Sequence, residues 1–108
     1  MLKKIHKSID VKGPGKEAAR GTYFLQLFVT GILPNSTRAI ENIKAICESH
    51  LKDRYELEII DIYQQPSLAA AEGIVAIPLL IKKFPLPQAR LIGDLSDTEK
   101  VLKGLHID

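Results

Sequence analysis

The stretch IVAIPLLIKKFPLPQARLIGDLSDTEKVLKGL, residues 74–105, decides how this chain folds. Residues 74–84 have strand composition, yet Pro78 stands in their middle. Proline has no N–H to give a ladder, so it needs a strand start, an edge or a bulge. Pro85 and Pro87 make a rigid turn, and residues 90–93 can form a further short strand. Ser96 and Glu99 have capping-box spacing, in which each side chain satisfies a free N–H at a helix start. They predict a helix to about Leu102, ended near Gly104. The stretch reads strand, strand, helix.

Working back toward the N-terminus, residues 22–30 (TYFLQLFVT) are apolar on both faces, with only Gln26 interrupting. That pattern belongs to a strand covered on both sides. Residues 31–35 turn the chain, and Asn35 or Ser36 is placed to cap a helix over about 36–51. Ala39, Ile40, Ile43, Ile46, Cys47, His50 and Leu51 recur every three or four residues and form its apolar stripe. Arg38, Glu41, Lys44, Glu48 and Lys52 fall mostly off it. Residues 55–62 (YELEIIDI) form a second strand, completing a right-handed βαβ unit with parallel strands. Pro66 opens a short helix over 67–72, and Gly73 stops it. The predicted class is α/β, in the order βαβαββα. A proline at the start of the third strand makes that the order of the thioredoxin fold. In that arrangement the Ile77–Pro78 bond is expected to be cis, which costs only about 0.5–1 kcal/mol at an X–Pro bond.

The 108 residues suit one small domain, and 45% hydrophobic with 26% charged is ordinary globular composition. Stability of about 5–10 kcal/mol is expected at this size. No apolar run approaches the roughly 18 residues that span a bilayer. MLKKIHKSID lacks the apolar core of a signal peptide, so the expected setting is cytoplasmic, away from membranes. The single Cys47 cannot form an internal disulfide. The net charge of +2 is uneven: residues 1–20 carry six basic groups and two acids, the remainder nine and eleven. Residues 1–20 therefore read as a basic, solvated arm, with weak attraction to an acidic partner as the functional alternative. Without aromatic residues to stack on bases, the arm predicts no nucleic-acid binding. Residues 21–108 form the domain.

Catalytic chemistry is sparse. Thioredoxin-like enzymes carry C-x-x-C where the first strand meets the first helix, because a helix start lowers a thiol pKa. Here that place reads GILPNS, residues 31–36, without cysteine. Cys47 sits on the apolar stripe and reads as a small buried hydrophobe. His6, His50 and His106 lack metal-ligand spacing. Asp94 and Asp97 flank Leu95 and Ser96 at a helix start, where carboxylates cap free N–H groups. No phosphate-binding or nucleophile-elbow motif is present. The expectation is no catalytic residue, no metal and no cofactor.

The chain resembles the KaiB family of circadian-clock adaptors. The resemblance rests on Pro34-Asn35-Ser36 with Arg38-Ala39, Ile60-Asp61-Ile62, Gln65-Pro66, Ala76-Ile77-Pro78, Pro85-Leu86-Pro87 and Arg90. It continues through Ile92-Gly93-Asp94-Leu95-Ser96-Asp97 and Glu99-Lys100-Val101-Leu102, spanning residues 22–105 without a gap. It implies a non-enzymatic adaptor that binds a KaiC-like hexameric RecA-type ATPase, with KaiA and a sensor histidine kinase as further partners. It also implies two folds, a homo-oligomeric (dimer or tetramer) βαββααβ ground state and the thioredoxin-like order, with the first βαβ unit shared. Two packings of one sequence coexist only within a few kcal/mol of each other. By position, the resemblance makes Arg38, Arg90, Glu58 and Lys82 partner contacts, and Pro78, Gly104 and Asp94 fold-determining residues.

The chain departs from the family pattern in several places. Glu58 stands where clock members often have lysine, Gly73 replaces a charged residue, and His106 replaces an aspartate beside Gly104. An acidic C-terminal tail is missing and the basic arm is added. The competing reading is a thioredoxin-like stress protein independent of KaiC, which would require a reactive Cys47. A sensor domain fused to a kinase is a third reading, disfavoured because no kinase region follows.

Overall fold

Strand β1 (Tyr23–Val29) is central in a computed structural model that describes residues 22–31, 33–74 and 76–107. Helix α1 (Pro34–His50) and strand β2 (Tyr55–Asp61) follow, then α2 (Pro66–Glu72), β3 (Leu79–Phe84), β4 (Ala89–Ile92) and α3 (Thr98–Gly104). The order is the βαβαββα read from the sequence; the alternative βαββααβ arrangement is not the one seen. The proposed arm, residues 1–20, lies outside the described residues.

The sheet runs β2-β1-β3-β4. β1 and β2 are parallel, with Tyr23 opposite Tyr55 and Val29 opposite Asp61. β3 is antiparallel to β1 and β4. The mostly apolar character of β1 is explained by two cores. Leu25, Leu27 and Val29 pack with Ala39, Ile43, Ile46 and Cys47 of α1 and with Val101 and Leu105. On the opposite face Phe28, Ile60, Leu79 and Ile81 lie against Ile62, Ile74 and Ile77. Each side chain of this kind contributes about 1.5–3 kcal/mol when fully buried. The faces are unequally covered: α1 has 17 residues and five buried side chains, whereas α2 has 7 residues and none.

Local signals explain most boundaries. Pro66 occupies the first turn of α2, and Gly73 ends it in the left-handed conformation at φ 66°. Pro78 immediately precedes β3, and the bond before it is cis, as are those before Pro85 and Pro87. The strand read over 74–84 is therefore shortened to Leu79–Phe84, because its first residues lie ahead of a proline that cannot join the ladder.

Two expected caps are replaced by others. α1 begins at Pro34 with Leu33 as N-cap and no side-chain cap, since proline presets the helical φ and has no N–H to satisfy. Ser36 is buried inside the first turn, where its Oγ accepts the Thr30 N–H at 3.2 Å. At α3 the cap is Asp97, not Ser96: Asp97 Oδ1 accepts the Lys100 N–H at 3.1 Å. A carboxylate there answers both the free donor and the helix dipole. His50, assigned to the apolar stripe of α1, is exposed, while Leu51 after it is buried in the core. Asp97→Ala should cost about 1 kcal/mol in urea unfolding and Ser96→Ala less than about 0.5 kcal/mol. The reverse ranking would restore the capping box.

Candidate partner-binding surface

The turn from β1 into α1, where a thioredoxin would hold its dithiol, is knitted by polar contacts instead. Buried Asp61 accepts the Gly31 N–H on Oδ2 at 3.0 Å and the Tyr63 N–H on Oδ1 at 2.8 Å. Oδ2 thus ties the end of β1 to β2, and Oδ1 closes the turn that follows β2. Cys47 is fully buried in the α1 core, and burial, followed by the nearby Glu48 charge, pushes its thiol up to about 12. A thiol so far above neutral pH supplies almost no thiolate, the reactive form. Among the described residues no group of His, Cys, Asp and Glu could hold a metal, and no helix is long and apolar enough to cross a membrane.

The surface offers arginines rather than reactive groups. Arg38, exposed on α1, donates from Nη2 to Asn35 Oδ1 at 2.6 Å and from Nε to Asp94 Oδ2 at 3.3 Å. Asp94 in turn accepts the Ser96 N–H at 3.1 Å, and Asn42 donates to the Asp94 carbonyl at 2.8 Å. The Ser96 hydrogen bonds, joined by Arg38, hold the Asp94 carboxyl below the usual aspartate range. Asp94 therefore fixes the loop ahead of α3 and docks it on α1. Arg90, exposed on β4, donates to the Glu72 carbonyl at 2.7 Å and to its Oε1 at 3.2 Å. Lys83 Nζ reaches the other Glu72 oxygen at 2.7 Å. The two arginines are not brought together: Arg38 rides on the helix that covers one face, while Arg90, opposite Ile81, projects from the other.

The remaining sequence-derived residues separate into surface and interior. Glu58 is half-buried on edge strand β2 and accepts from Gln26 Nε2 at 3.3 Å. Lys82, expected as a partner contact, is only 1% exposed. Leu25 pairs with Lys82, which turns that side chain into the α3-side core. Its Nζ donates to the Leu105 carbonyl at 3.1 Å and stands 5.8 Å from the centre of the Tyr23 ring. Gly104 lies where a Cβ would come within 2.6 Å of Leu91 Cδ2, so the bare backbone lets α3 approach β4. Sequence reasoning missed Glu72, whose two cationic partners lie 11 and 18 residues away and have no local signature. It also missed the exposed apolar pair Leu33 (54%) and Tyr63 (78%) beside Thr30 and Gly31. Leu33 directly before Pro34 was the available hint, since that residue belongs to a turn and not to the helix face.

These features define a thioredoxin-fold protein without the fold's redox centre. The solved structures agree. Chloroplastic thioredoxin z superposes with a TM-score of 0.66 at 18% identity, over 82% of each chain. The N-terminal domain of Synechococcus elongatus SasA gives 0.66 at 26% identity, covering 89% of this chain and 94% of that one. The KaiB domain family model matches residues 26–107. The circadian clock oscillator protein KaiB of Prochlorococcus marinus is 51% identical over 90 residues, 83% of each chain. That of Synechococcus elongatus is 49% identical over 88 residues, 82% of this chain and 86% of the relative. The chain belongs to the KaiB family.

Two outcomes follow from the buried groups. In native protein Cys47 should resist a thiol-modifying disulfide reagent at neutral pH and react at once in denaturant; rapid native modification would show an accessible thiolate. Burial lowers the Lys82 pKa from the ordinary 10.5. The unfolded chain then holds more protons than the fold between the lowered value and 10.5, so Lys82 makes stability rise with pH in that window. Lys82→Met should lie within about 1 kcal/mol of the parent at neutral pH, and the parent should gain on it as the pH is raised. A constant difference across the titration would refute the burial of this ammonium.

Proposed function

We propose that the chain is a non-enzymatic adaptor that binds a KaiC-like RecA-type ATPase and regulates its signalling. The observation that carries this reading is family membership on a thioredoxin fold whose usual dithiol position reads GILPNS and whose single cysteine is sealed in the core. A scaffold that keeps the shape and lacks the thiols is suited to docking. Arg38, Arg90 and Glu58 are the contacts proposed: all lie wholly or partly at the surface and each is held by a polar partner. An arginine already oriented by a carboxylate loses less rotamer freedom on binding. KaiA and a sensor histidine kinase are further candidate partners, as membership of the KaiB family implies.

The adaptor is proposed to repack its second half into a homo-oligomeric state, with Pro78, Gly104 and Asp94 setting the balance. The light anchoring of α2 supports this. It has no buried side chain and is tied to the sheet through Glu72, Lys83 and Arg90. Partly exposed ion pairs are worth about 0–1 kcal/mol each, so releasing α2 costs little. The stress-protein alternative has no accessible thiol to act through.

Incubation with a cognate KaiC-like ATPase, followed by size-exclusion chromatography, should yield a complex. Arg38→Ala should weaken it about tenfold, equivalent to about 1.4 kcal/mol. Failure to form any complex at high concentration after long incubation would remove the adaptor reading.

A further inference from the structure

We propose that the free edge of β4 takes up an extended acidic segment of a partner protein, with Arg90 passing from Glu72 to a carboxylate of that segment. β4 is an end strand of the sheet. The Gly93 N–H bonds the Pro78 carbonyl, and in the same register Leu91 stands opposite Leu80 and Ala89 opposite Lys82. Backbone groups alternate between the two sides of an antiparallel strand. Ala89 and Leu91 therefore turn theirs toward β3, while Arg90 and Ile92 turn theirs outward. An extended chain laid along this edge meets two donors and two acceptors, the basis of binding by strand addition.

Two side chains specify the segment. Arg90 and Ile92 are two residues apart, so both stand on the face where Ile81, opposite Arg90, is buried. Ile92 is 64% exposed although its strand partner Leu79 is buried. Directly opposed side chains on neighbouring strands touch. The segment that fits therefore carries an apolar residue opposite Ile92 and an acidic residue opposite Arg90, two apart and on one face.

The present contacts of Arg90 make Glu72 a competitor built into the chain. Arg90 Nη2 donates to the Glu72 carbonyl at 2.7 Å and to Glu72 Oε1 at 3.2 Å. A guanidinium grips a carboxylate with two bonds either through Nε and Nη2 or through Nη1 and Nη2. Both modes need the nitrogen that Glu72 holds. Arg90 Nε and Nη1 make no hydrogen bond among the described residues. Departure of Arg90 leaves no orphaned charge, because Lys83 Nζ stays on Glu72 Oε2 at 2.7 Å. The exchange gives up a partly exposed single contact for a forked one. The proposal rests on the reading of Arg90 as a partner contact and adds the edge, the partner chemistry and the internal competitor.

A fluorescein-labelled peptide of repeated Glu-Thr-Val-Thr units, titrated with the full chain and followed by polarisation, tests it. Arg90→Ala should weaken binding about tenfold. Arg90→Lys, which keeps the charge and loses the fork, should weaken it too. Glu72→Gln, in a chain whose circular dichroism matches the parent, should tighten it about three- to fivefold. Amide hydrogen exchange of Arg90 and Ile92 should slow in the complex, and N-methylating the valines of the peptide should abolish binding. No binding, parental affinity in Arg90→Ala or Arg90→Lys, no tightening in Glu72→Gln, or protection on β2 in place of β4 would each overturn the proposal. Equal binding of the N-methylated peptide would overturn it as well, assigning Arg90 to anions without strand addition. No ATPase is present in this titration, so its failure is separate from failure to form the ATPase complex in size-exclusion chromatography.

Discussion

The pairing of β1 with β3 is the constraint on which the rest depends. β1 would otherwise end at the first βαβ unit; its antiparallel register with β3, from Phe28 opposite Leu79 to Phe24 opposite Phe84, carries the sheet into the second half. That register decides which β3 side chains face α1 and α3. Leu80 and Lys82 do, and Leu79 and Ile81 take the other side. The inward lysine is therefore a consequence of register and not of hydropathy. Its aliphatic stem passes through apolar surroundings and its ammonium ends on a helix-terminal carbonyl, a place that favours a cation. Tyr23 supports the same turn from β1, donating its hydroxyl to the His106 carbonyl at 3.2 Å. The C-terminal turn is thus held from beneath by both central strands.

The fold was legible wherever one residue type permitted one local solution. Pro66 and Gly73 bracketed α2 because proline suits a helix start and glycine the left-handed exit. The apolar run at β1 gave a doubly covered strand because no amphipathic alternative fits it. Position-specific roles were less legible. Ser96 and Asp97 are both competent caps one residue apart, and only the loop geometry fixed by Asp94 and Arg38 selects Asp97. Lys82 and Lys83 are adjacent and chemically identical. A strand sends successive side chains to opposite faces, so one is sealed and the other pairs with Glu72. No reading of a lysine pair apart from its strand partner separates these two fates.

The two faces of the sheet are stabilised by different physics. On the α1 side, continuous apolar burial resists salt and pH, and its strength scales with the area removed from water. On the α2 side a smaller apolar cluster is supplemented by the Glu72 contacts and the cap at Gly73. Polar ties of this kind are individually weak, geometrically demanding and sensitive to ionic strength. A unit built this way opens locally before the α1 core does. The α1-side core includes Leu80 of β3 and Val101 of α3, so the lightly held unit is α2 itself.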